Sequence, residues 1–423
     1  MTNIGPPELT VGYCTNVHAG VDFPSICDNL DRFAVSVRNN LIDRGTYGAS
    51  DDLGVGLWIP ETASRDLTQS SNLQDFAAFL NERRLSAFTI NGFPFDNFHQ
   101  DVVKHQVYLP TWCDSERLEY TKRLADILTV IMPGEDQANQ PPSNAPVGSI
   151  STVPIGWPNN PKGSSENANG PKLIDGAGAN FRSMADYLAD IESRTGKRIV
   201  VAIEPEPGCV LDTTDDVLAF FESQLPEPSH RRYITVCHDV CHSAVMMEPQ
   251  AEVIGRLARA EIGIGKVQVS SAIVVDWESM ANARRIEAID QLSDFAEDRY
   301  LHQTGRRDST GAFSLAEDLP ALIQSVKENR ADGQSIVDDL NWVVHFHVPV
   351  FLERFGHLST SHQDVLEVLR TLLNKNSSID FTGHLEVETY AWTVLPESMR
   401  KRGLADDIAD EIDWLRKAIV MAG

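Results

Sequence analysis

The sequence has few cysteines, few basic residues and no long apolar run. Six cysteines in 423 residues have neither the density nor the spacing of a disulfide scaffold, so we expect reduced thiols. Because 36 Lys and Arg face 61 Asp and Glu, the formal net charge is −25, which repels phosphate backbones and anionic membranes. The N-terminus lacks the basic and apolar regions of a signal peptide, and no run reaches about 18 apolar residues. We therefore expect a cytoplasmic protein with no nucleic-acid partner and no membrane insertion.

What is present is a repeated alternation of short β-rich runs and longer stretches with helical spacing. The composition, 42% hydrophobic and 23% charged, is that of a packed globular chain. Each β-rich run ends in polar, Gly or Pro residues, which is the pattern of βα units. The eight clearest strand candidates are residues 9–20, 53–62, 86–95, 147–157, 198–208, 231–242, 265–274 and 384–392. Eight such units predict an α/β fold, a closed (β/α)8 TIM barrel that residues 1–423 form as a single domain.

Helix signals lie between these runs. Residues 178–195 end at the stop signal Thr195-Gly196-Lys197, and residues 214–224 follow a start that resembles a capping box. Apolar residues also recur every three or four positions between Leu404 and Ile419. This stripe predicts a closing helix on the outside of the barrel.

Two regions break the regular spacing. Residues 134–172 are rich in Pro, Asn, Gly and Ser, which predicts long loops around the fourth strand. Residues 275–383 are far longer than one βα loop, and we interpret them as an insertion after strand 7 that covers the barrel mouth. The alternative is that the run 341–351 is itself the seventh strand.

Ionisable side chains interrupt apolar runs at the ends of the last four predicted strands. In TIM barrels these ends carry the reactive groups. The residues are Glu204 and Glu206 on the fifth strand, His238, Asp239 and His242 on the sixth, Gln268 on the seventh, and Glu386 and Glu388 on the eighth.

Their spacing predicts a cation. Residues two apart face the same side of a strand, so Glu204 and Glu206 point into the barrel mouth together. Crowded carboxylates repel one another unless a positive charge lies between them, and burying unpaired charge is costly. We therefore predict a bound divalent metal, which these ligand types allow to be zinc, manganese or magnesium.

The motifs at these strand ends resemble the sugar isomerase/epimerase superfamily, which has the xylose-isomerase-like barrel. The matching features are Glu204 followed by Pro, Asp239-x-x-His242, a polar residue on strand seven and Glu388 on strand eight. The resemblance implies that the metal ligands are Glu204, Asp239, Gln268 and Glu388. It also implies that His242 holds the substrate, and that Glu204 and Glu388 act as general bases.

Strand seven departs from that pattern, because Gln268 stands where the superfamily has His. An amide oxygen can ligate a metal, but it binds more weakly than imidazole and has no titratable proton. If 341–351 were the seventh strand, His345 or His347 would restore the imidazole.

A resemblance over nearly the whole chain is to the bacterial metabolite traffic protein E family. It rests on segments such as NVHAGVDF (16–23), GLWIPETASRDL (56–67), CHDVCHSAV (237–245), VHFHVPVF (344–351) and HLEVETYAW (384–392). The resemblance implies an isomerase-type barrel encoded in an operon linked to export of prenylated or aromatic metabolites. It implies operon partner proteins but no particular reaction.

Further polar and aromatic residues at strand ends are candidates for contact with a small-molecule metabolite. Lys104 has the charge to neutralise a phosphate or carboxylate group, and a Trp at a strand end offers an apolar wall. The predicted substrate-binding residues are His18, Trp58, Asn91, Lys104, Glu206, His345 and His347.

Three functions are compatible with these residues. The leading hypothesis is a metal-dependent isomerase or epimerase of a small sugar-like or polyol metabolite, linked to metabolite export. The second is a metabolite-binding carrier without catalysis, and the third is a metal-dependent endonuclease-like hydrolase, which the net charge of −25 disfavours. Related barrels often form dimers or tetramers, so a homo-oligomer is an open alternative.

Overall fold

Eight parallel strands close into a barrel in this computed structural model, which describes residues 8–69, 71–133, 146–158, 171–331, 337–400 and 402–423. Each barrel strand pairs with its neighbours along the chain, and the last strand, β14, pairs with both β1 and β7. The barrel strands are β1 (Thr10–Cys14), β2 (Leu53–Trp58), β3 (Leu85–Asn91), β4 (Val147–Thr152), β5 (Arg198–Ile203), β6 (Ile234–Asp239), β7 (Ile264–Val269) and β14 (His384–Val387). The predicted TIM barrel is confirmed.

Helices surround this barrel and also occur within the insertion. They are α1 (Phe23–Asn29), α2 (Val35–Asp43), α3 (Glu61–Leu67), α4 (Asn72–Glu82), α5 (Ser115–Ile131), α6 (Pro171–Thr195), α7 (Thr214–Gln224), α8 (Pro228–Arg231), α9 (Val240–Val245), α10 (Gln250–Arg259), α11 (Asn282–Ser293), α12 (Leu319–Ala331), α13 (His362–Leu372) and α14 (Leu404–Ala422). A π-helical turn, Leu30–Ala34, joins α1 to α2, and 3-10 turns occupy Thr15–Val17, Lys104–Tyr108, Tyr390–Val394 and Glu397–Met399. Within the described ranges, every helix is too short or too polar to cross a bilayer.

The helix signals of the sequence are confirmed in the structure. Helix α7 begins with a complete capping box between Thr213 and Asp216, and α14 buries its apolar stripe against β1 and α2. Helix α6 begins at Pro171 rather than at residue 178. Its early glycines lower helix propensity, but a Cβ at Gly176 would collide with the Cys113 sulfur. Glycine there serves close packing rather than a break in the helix.

The long insertion after strand 7 is confirmed and forms a second sheet of its own. Its strands pair antiparallel in the order β10, β9, β11, β8, β13, β12. They are β8 (Ile273–Asp276), β9 (Thr304–Arg307), β10 (Phe313–Ala316), β11 (Asn341–Val344), β12 (Arg354–Phe355) and β13 (Leu358–Thr360). Trp277, Phe295 and Trp342 are fully buried in one hydrophobic cluster. Trp58 and Tyr390 belong to the same cluster, so the insertion shares this apolar core with the barrel.

Two details of the strand prediction need correction. The single predicted strand 265–274 is two strands, because the chain leaves the barrel after Val269 and enters the second sheet at Ile273. The alternative that 341–351 is the seventh barrel strand is wrong, since β11 pairs with β8 and β9 in the second sheet. The predicted loops within 134–172 fall largely on residues 134–145 and 159–170, which lie outside the described residues.

Candidate metal centre at the barrel mouth

Three carboxylates meet at the C-terminal end of the barrel. Glu204 follows β5, Asp239 ends β6 and Glu388 follows β14, and each is at most 4% exposed. One oxygen from each lies within 4.8 Å of the others. Glu204 Oε2 and Asp239 Oδ2 are buried without a hydrogen-bond partner. The barrel therefore brings together the three carboxylates that the sequence predicted as ligands.

The repulsion among these carboxylates shifts their pKa values. Burial raises the pKa of Glu204 to about 7, and the neighbouring Asp239 adds to the rise. Burial and the charges of Glu204 and Asp239 raise the pKa of Glu388 well above its ordinary value. Burial also opposes ionisation of Asp239, but His242 and His347, with hydrogen bonds from the His242 N–H and Ser270, lower its pKa. A cation at this point would relieve the repulsion.

Gln268, the predicted strand-seven ligand, points into the barrel interior beside this cluster. Its neighbours Val267 and Val269 pack in the outer apolar layer, so alternation directs Gln268 inward. It is level with Asp239 on β6 and fully buried. Neither its amide oxygen nor its amide nitrogen has a hydrogen-bond partner, which leaves the oxygen free to ligate a cation.

The insertion brings an imidazole to the same place. His347 Nδ1 lies 2.9 Å from the main-chain oxygen of Glu388, and a carbonyl oxygen only accepts, so Nδ1 carries the proton. The other ring nitrogen, Nε2, therefore holds a lone pair, which lies 3.9 Å from Asp239 Oδ2. Both atoms are buried without a hydrogen-bond partner. A histidine fixed in this way by its second nitrogen is typical of a metal ligand.

The Asp-x-x-His motif, Asp239 to His242, forms the N-terminus of helix α9. Asp239 is the N-cap of α9, and its Oδ1 accepts a hydrogen bond of 2.9 Å from the His242 N–H. The His242 side chain is thereby turned toward the mouth, where Nδ1 lies 2.9 Å from the Pro205 carbonyl oxygen and 4.0 Å from Glu204 Oε1. Burial alone would lower the pKa of His242, but Asp239, Glu206 and Glu204 raise it.

Two further predicted substrate-binding residues, Glu206 and His345, also lie at the barrel mouth. Glu206 Oε1 accepts hydrogen bonds from Tyr108 Oη at 2.8 Å and from Gln303 Nε2 at 3.1 Å. His345 lies beside it, with Nδ1 3.8 Å from Glu206 Oε1. Burial, with the nearby His242 and His347, lowers the pKa of His345 well below its ordinary value.

Glu388 is held by two asparagines. Asn16 Nδ2 donates to Glu388 Oε1 at 2.7 Å, and Asn91 Nδ2 donates to the same oxygen at 3.1 Å. Asn91 was predicted as a substrate contact, and the structure places it against the carboxylate while it also lines the pocket. Asn16 was missed, although it lies in the NVHAGVDF segment, because an amide in a loop after a strand has many possible partners.

Three other predicted substrate contacts are engaged with the protein itself. His18 stacks on Phe33 and hydrogen-bonds Tyr13, so it serves packing behind the mouth. The Trp58 indole nitrogen donates to the Pro94 carbonyl oxygen, and its ring packs against Phe98. Lys104 lines the pocket, but its ammonium is paired with Asp318 at 2.5 Å.

The pocket above the carboxylates has an aromatic wall. Its lining includes the carboxylates of Glu204, Glu206 and Glu388. Among its other lining residues are the aromatic rings of Phe93, Phe98, Tyr108, Tyr300 and Tyr390. Tyr300 and Tyr390 were missed, because their approach to the mouth depends on the folding of the insertion and of a 3-10 turn. The pocket thus combines carboxylate oxygens with apolar ring surfaces, as small-molecule sites do.

Comparison with known proteins supports the fold only. No model of a protein family matches the sequence, and no curated protein matches it. A xylose isomerase-like TIM-barrel protein from Mycobacterium smegmatis, in complex with magnesium, is similar over 100% of this chain and 99% of that one, with a TM-score of 0.50 and 11% identity. Membership of the metabolite traffic protein E family has no support from these matches.

Two further solved structures are similar at lower scores. A xylose isomerase domain protein from Alicyclobacillus acidocaldarius subsp. acidocaldarius covers 98% of this chain and 99% of its own, with 13% identity and a TM-score of 0.43. The IOLI protein with a bound zinc atom covers 98% and 99%, with 12% identity and a TM-score of 0.44. The closed barrel and the Mycobacterium smegmatis match together identify the fold of this chain as a xylose-isomerase-like TIM barrel.

Proposed function

We propose that this protein is a divalent-metal-dependent isomerase or epimerase of a small, uncharged sugar-like or polyol metabolite. The observation that carries the proposal is the convergence of Glu204, Asp239 and Glu388 within 4.8 Å at the barrel mouth. Uncompensated, such a cluster would be strongly unfavourable in a buried site. The Mycobacterium smegmatis barrel described above was solved in complex with magnesium, which supports the same kind of site here.

The residues fit a divalent cation. Glu204 Oε2, Asp239 Oδ2 and His347 Nε2 are all buried and lack hydrogen-bond partners, so each has a lone pair that nothing in the protein satisfies. Three carboxylates, one imidazole and the amide oxygen of Gln268 suit manganese, magnesium or zinc. We assign the first cation to Glu204, Asp239, Glu388 and His347, with Gln268 as a further oxygen donor.

A cation held there would supply Lewis acidity, polarising a substrate carbonyl and its neighbouring hydroxyl. The protein supplies the proton chemistry. Glu204 lines the pocket, and a carboxylate that ligates through one oxygen keeps the other for a proton, so it is the candidate to take a proton from the carbon beside the carbonyl and return it. Glu388 is the second candidate, and the Asn16 and Asn91 amides fix its Oε1.

The pocket favours an uncharged substrate. Of the described residues that line it, Lys104 is the only Lys or Arg, and its charge is already paired with Asp318. The four carboxylates Glu204, Glu206, Asp239 and Glu388 offset the charge of a bound cation, so the site offers no surplus positive charge to a phosphate group. Phe98, Tyr300 and other rings instead offer flat apolar surfaces of the kind that pack on a sugar ring.

Solvent exchange tests the proposal directly. Protein loaded with manganese is incubated in D2O with free ketoses such as D-fructose and D-ribulose, and deuterium incorporation is followed by mass spectrometry. We expect deuterium to enter at the carbon beside the carbonyl with the parent protein and with the surface control Glu222→Gln, but not with Glu204→Gln. Metal-loaded protein that exchanges no proton of any ketose would contradict an isomerase or epimerase function.

A second candidate function is a carrier that binds a metabolite without turnover. The observation that favours it is the aromatic wall, which suits a prenylated or aromatic compound as well as a sugar. Quenching of intrinsic fluorescence by an aromatic alcohol such as a prenylated phenol, with no deuterium exchange, would support the carrier over the enzyme.

A further inference from the structure

Two histidines face each other at the barrel mouth with their Nε2 atoms within hydrogen-bond range. His242 Nε2 and His345 Nε2 lie 3.2 Å apart, and their rings are nearly perpendicular, with centroids separated by 4.6 Å. Both side chains are buried. At this separation one nitrogen must donate to the other, or a positive species must lie between them.

The hydrogen bonds at the far side of each ring fix where the protons are. His242 Nδ1 faces the Pro205 carbonyl oxygen at 2.9 Å, and a carbonyl only accepts, so this nitrogen is protonated. His345 Nδ1 faces Gln303 Oε1 at 2.7 Å. The assignment of the Gln303 amide is secure, because its Nε2 donates to Glu206 Oε1 and to the Pro207 carbonyl oxygen, both at 3.1 Å. His345 Nδ1 is therefore protonated too.

In their neutral forms both rings therefore carry lone pairs on Nε2 that are directed at each other, so either a cation or a proton must lie between these two atoms. Two ligands of one tetrahedral zinc ion, each at about 2.0–2.1 Å from the metal, lie about 3.3 Å apart. The observed separation of 3.2 Å between His242 Nε2 and His345 Nε2 matches that value. The pair is thus preorganised as two nitrogen ligands of one cation.

A carboxylate completes this group. One oxygen of Glu206 and one nitrogen from each of His242 and His345 lie within 4.8 Å of one another. Glu206 is buried, and bonds from Tyr108 and Gln303 fix its Oε1. Outer partners of this kind orient ligands in metal sites.

One ion cannot use all the donors at the mouth. The described residues supply four carboxylates and three imidazoles there, whereas zinc takes four protein or solvent ligands. We propose that the barrel mouth binds a second divalent cation through Glu206, His242 and His345, beside the first cation held by Glu204, Asp239, Glu388 and His347. This inference rests on the proposed function for the first site. Asp239 also groups with His242 and His347, which makes it the link between the two sites.

Two adjacent cations define a substrate class more narrowly than one. Paired metals hold two oxygens of the reacting molecule at the same time. The second site therefore selects a substrate with neighbouring oxygen functions, such as a carbonyl beside a hydroxyl. The rival to a second cation is a proton shared by His242 and His345, which would make one ring an imidazolium.

Metal stoichiometry separates these alternatives. The protein as purified, and again after dialysis against manganese or zinc, is analysed for metal per chain, together with Glu206→Gln and His345→Ala. Glu206→Gln keeps an acceptor oxygen for Tyr108 and Gln303 while removing the charge. The matched control is His302→Ala, because His302 is equally buried in the insertion and belongs to none of the ligand groups among the described residues.

We expect about two equivalents in the parent and in His302→Ala, and about one in Glu206→Gln and His345→Ala. Electron paramagnetic resonance of the manganese form gives an independent readout, since two adjacent ions couple and one ion does not. One equivalent in the parent, unchanged by Glu206→Gln, overturns the second site and leaves the first intact. No bound metal in the parent overturns both. If His345→Ala fails to fold by circular dichroism, Glu206→Gln carries the test.

Discussion

His347 donates its Nδ1 hydrogen to the main-chain oxygen of Glu388 at 2.9 Å. A residue of the insertion is thereby tied to the end of the last barrel strand, and its free Nε2 is directed toward Asp239. The superfamily resemblance leaves Gln268 in place of an imidazole on strand seven. We propose that His347 supplies that imidazole from outside the barrel, so the insertion would complete the metal site as well as cover it.

Removal of His347 should weaken metal binding. We expect His347→Ala to lower zinc affinity by at least about 100-fold, since the loss of an ordering partner alone costs 10–100-fold. The measurement is competition with a chromophoric chelator. His357→Ala is the matched control, because His357 lies in the same insertion and pairs with Glu287 near the surface. Equal affinities for the two variants would remove His347 from the site.

The asparagines that hydrogen-bond Glu388 should affect metal affinity without being metal ligands themselves. Asn16→Ala removes the 2.7 Å hydrogen bond to Glu388 Oε1, and the carboxylate is then held by Asn91 alone. We expect a fall in metal affinity of about 10-fold, with the number of bound ions unchanged. Isothermal titration calorimetry measures both quantities, and an unaltered affinity would show that Asn16 does not orient Glu388.

A buried ion pair inside the barrel should matter strongly for stability. Lys266 and Glu386 form a salt bridge with both side chains fully buried. Lys266→Met leaves a buried carboxylate without its partner, which we expect to lower the free energy of unfolding by about 3–5 kcal/mol. Urea denaturation followed by circular dichroism measures the change. The double variant Lys266→Met, Glu386→Gln should recover most of the loss, and a double variant as unstable as the single one would contradict this explanation.

Glu411 on α14 should make stability fall as the pH rises. Burial raises the pKa of Glu411 to about 8, although hydrogen bonds from Thr389 and Val350 oppose the rise. Between about pH 4.5, where the unfolded carboxyl ionises, and pH 8, the folded state holds a proton that the unfolded state has lost. This group therefore lowers the free energy of unfolding by up to about 1.4 kcal/mol per pH unit in that window.

Glu411→Gln keeps an acceptor oxygen for Thr389 and Val350 and removes the ionisation. We expect the variant to gain stability over the parent on going from pH 5 to pH 8, as measured by urea midpoints at both values. The surface control Glu222→Gln should show no such gain. A parent-to-variant difference that is the same at both pH values would refute the assignment.

The barrel was predictable because its signals are local. Each strand carries its own alternation and turn residues, and the reactive side chains Glu204, Asp239 and Glu388 lie at strand ends, which parallel topology brings to one face. The capping box of α7 was readable from four adjacent residues. The split of 265–274 into β7 and β8 was not readable, because Ser270 and Ser271 interrupt the apolar run without a Gly or Pro.

The remaining parts of the site depend on tertiary contacts. Whether His347 or His345 reaches the mouth depends on how an antiparallel sheet packs over the barrel, and no local pattern in HFHV encodes that. His18 and Trp58 also lie at strand ends, yet their rings pack on Phe33 and Phe98 rather than line the pocket. A position at the mouth therefore identifies candidates, and the direction of the side chain decides among them.

The most direct test of the metal centre is elemental analysis of protein purified without added metal. The parent is compared with the double variant Glu204→Ala, Asp239→Ala and with the surface control Asp190→Ala, Glu222→Ala. We predict at least about one equivalent of divalent metal in the parent and the control, and almost none in the double variant. Absence of metal from the parent, even after soaking with manganese or zinc, would contradict the account and leave the carrier function in its place.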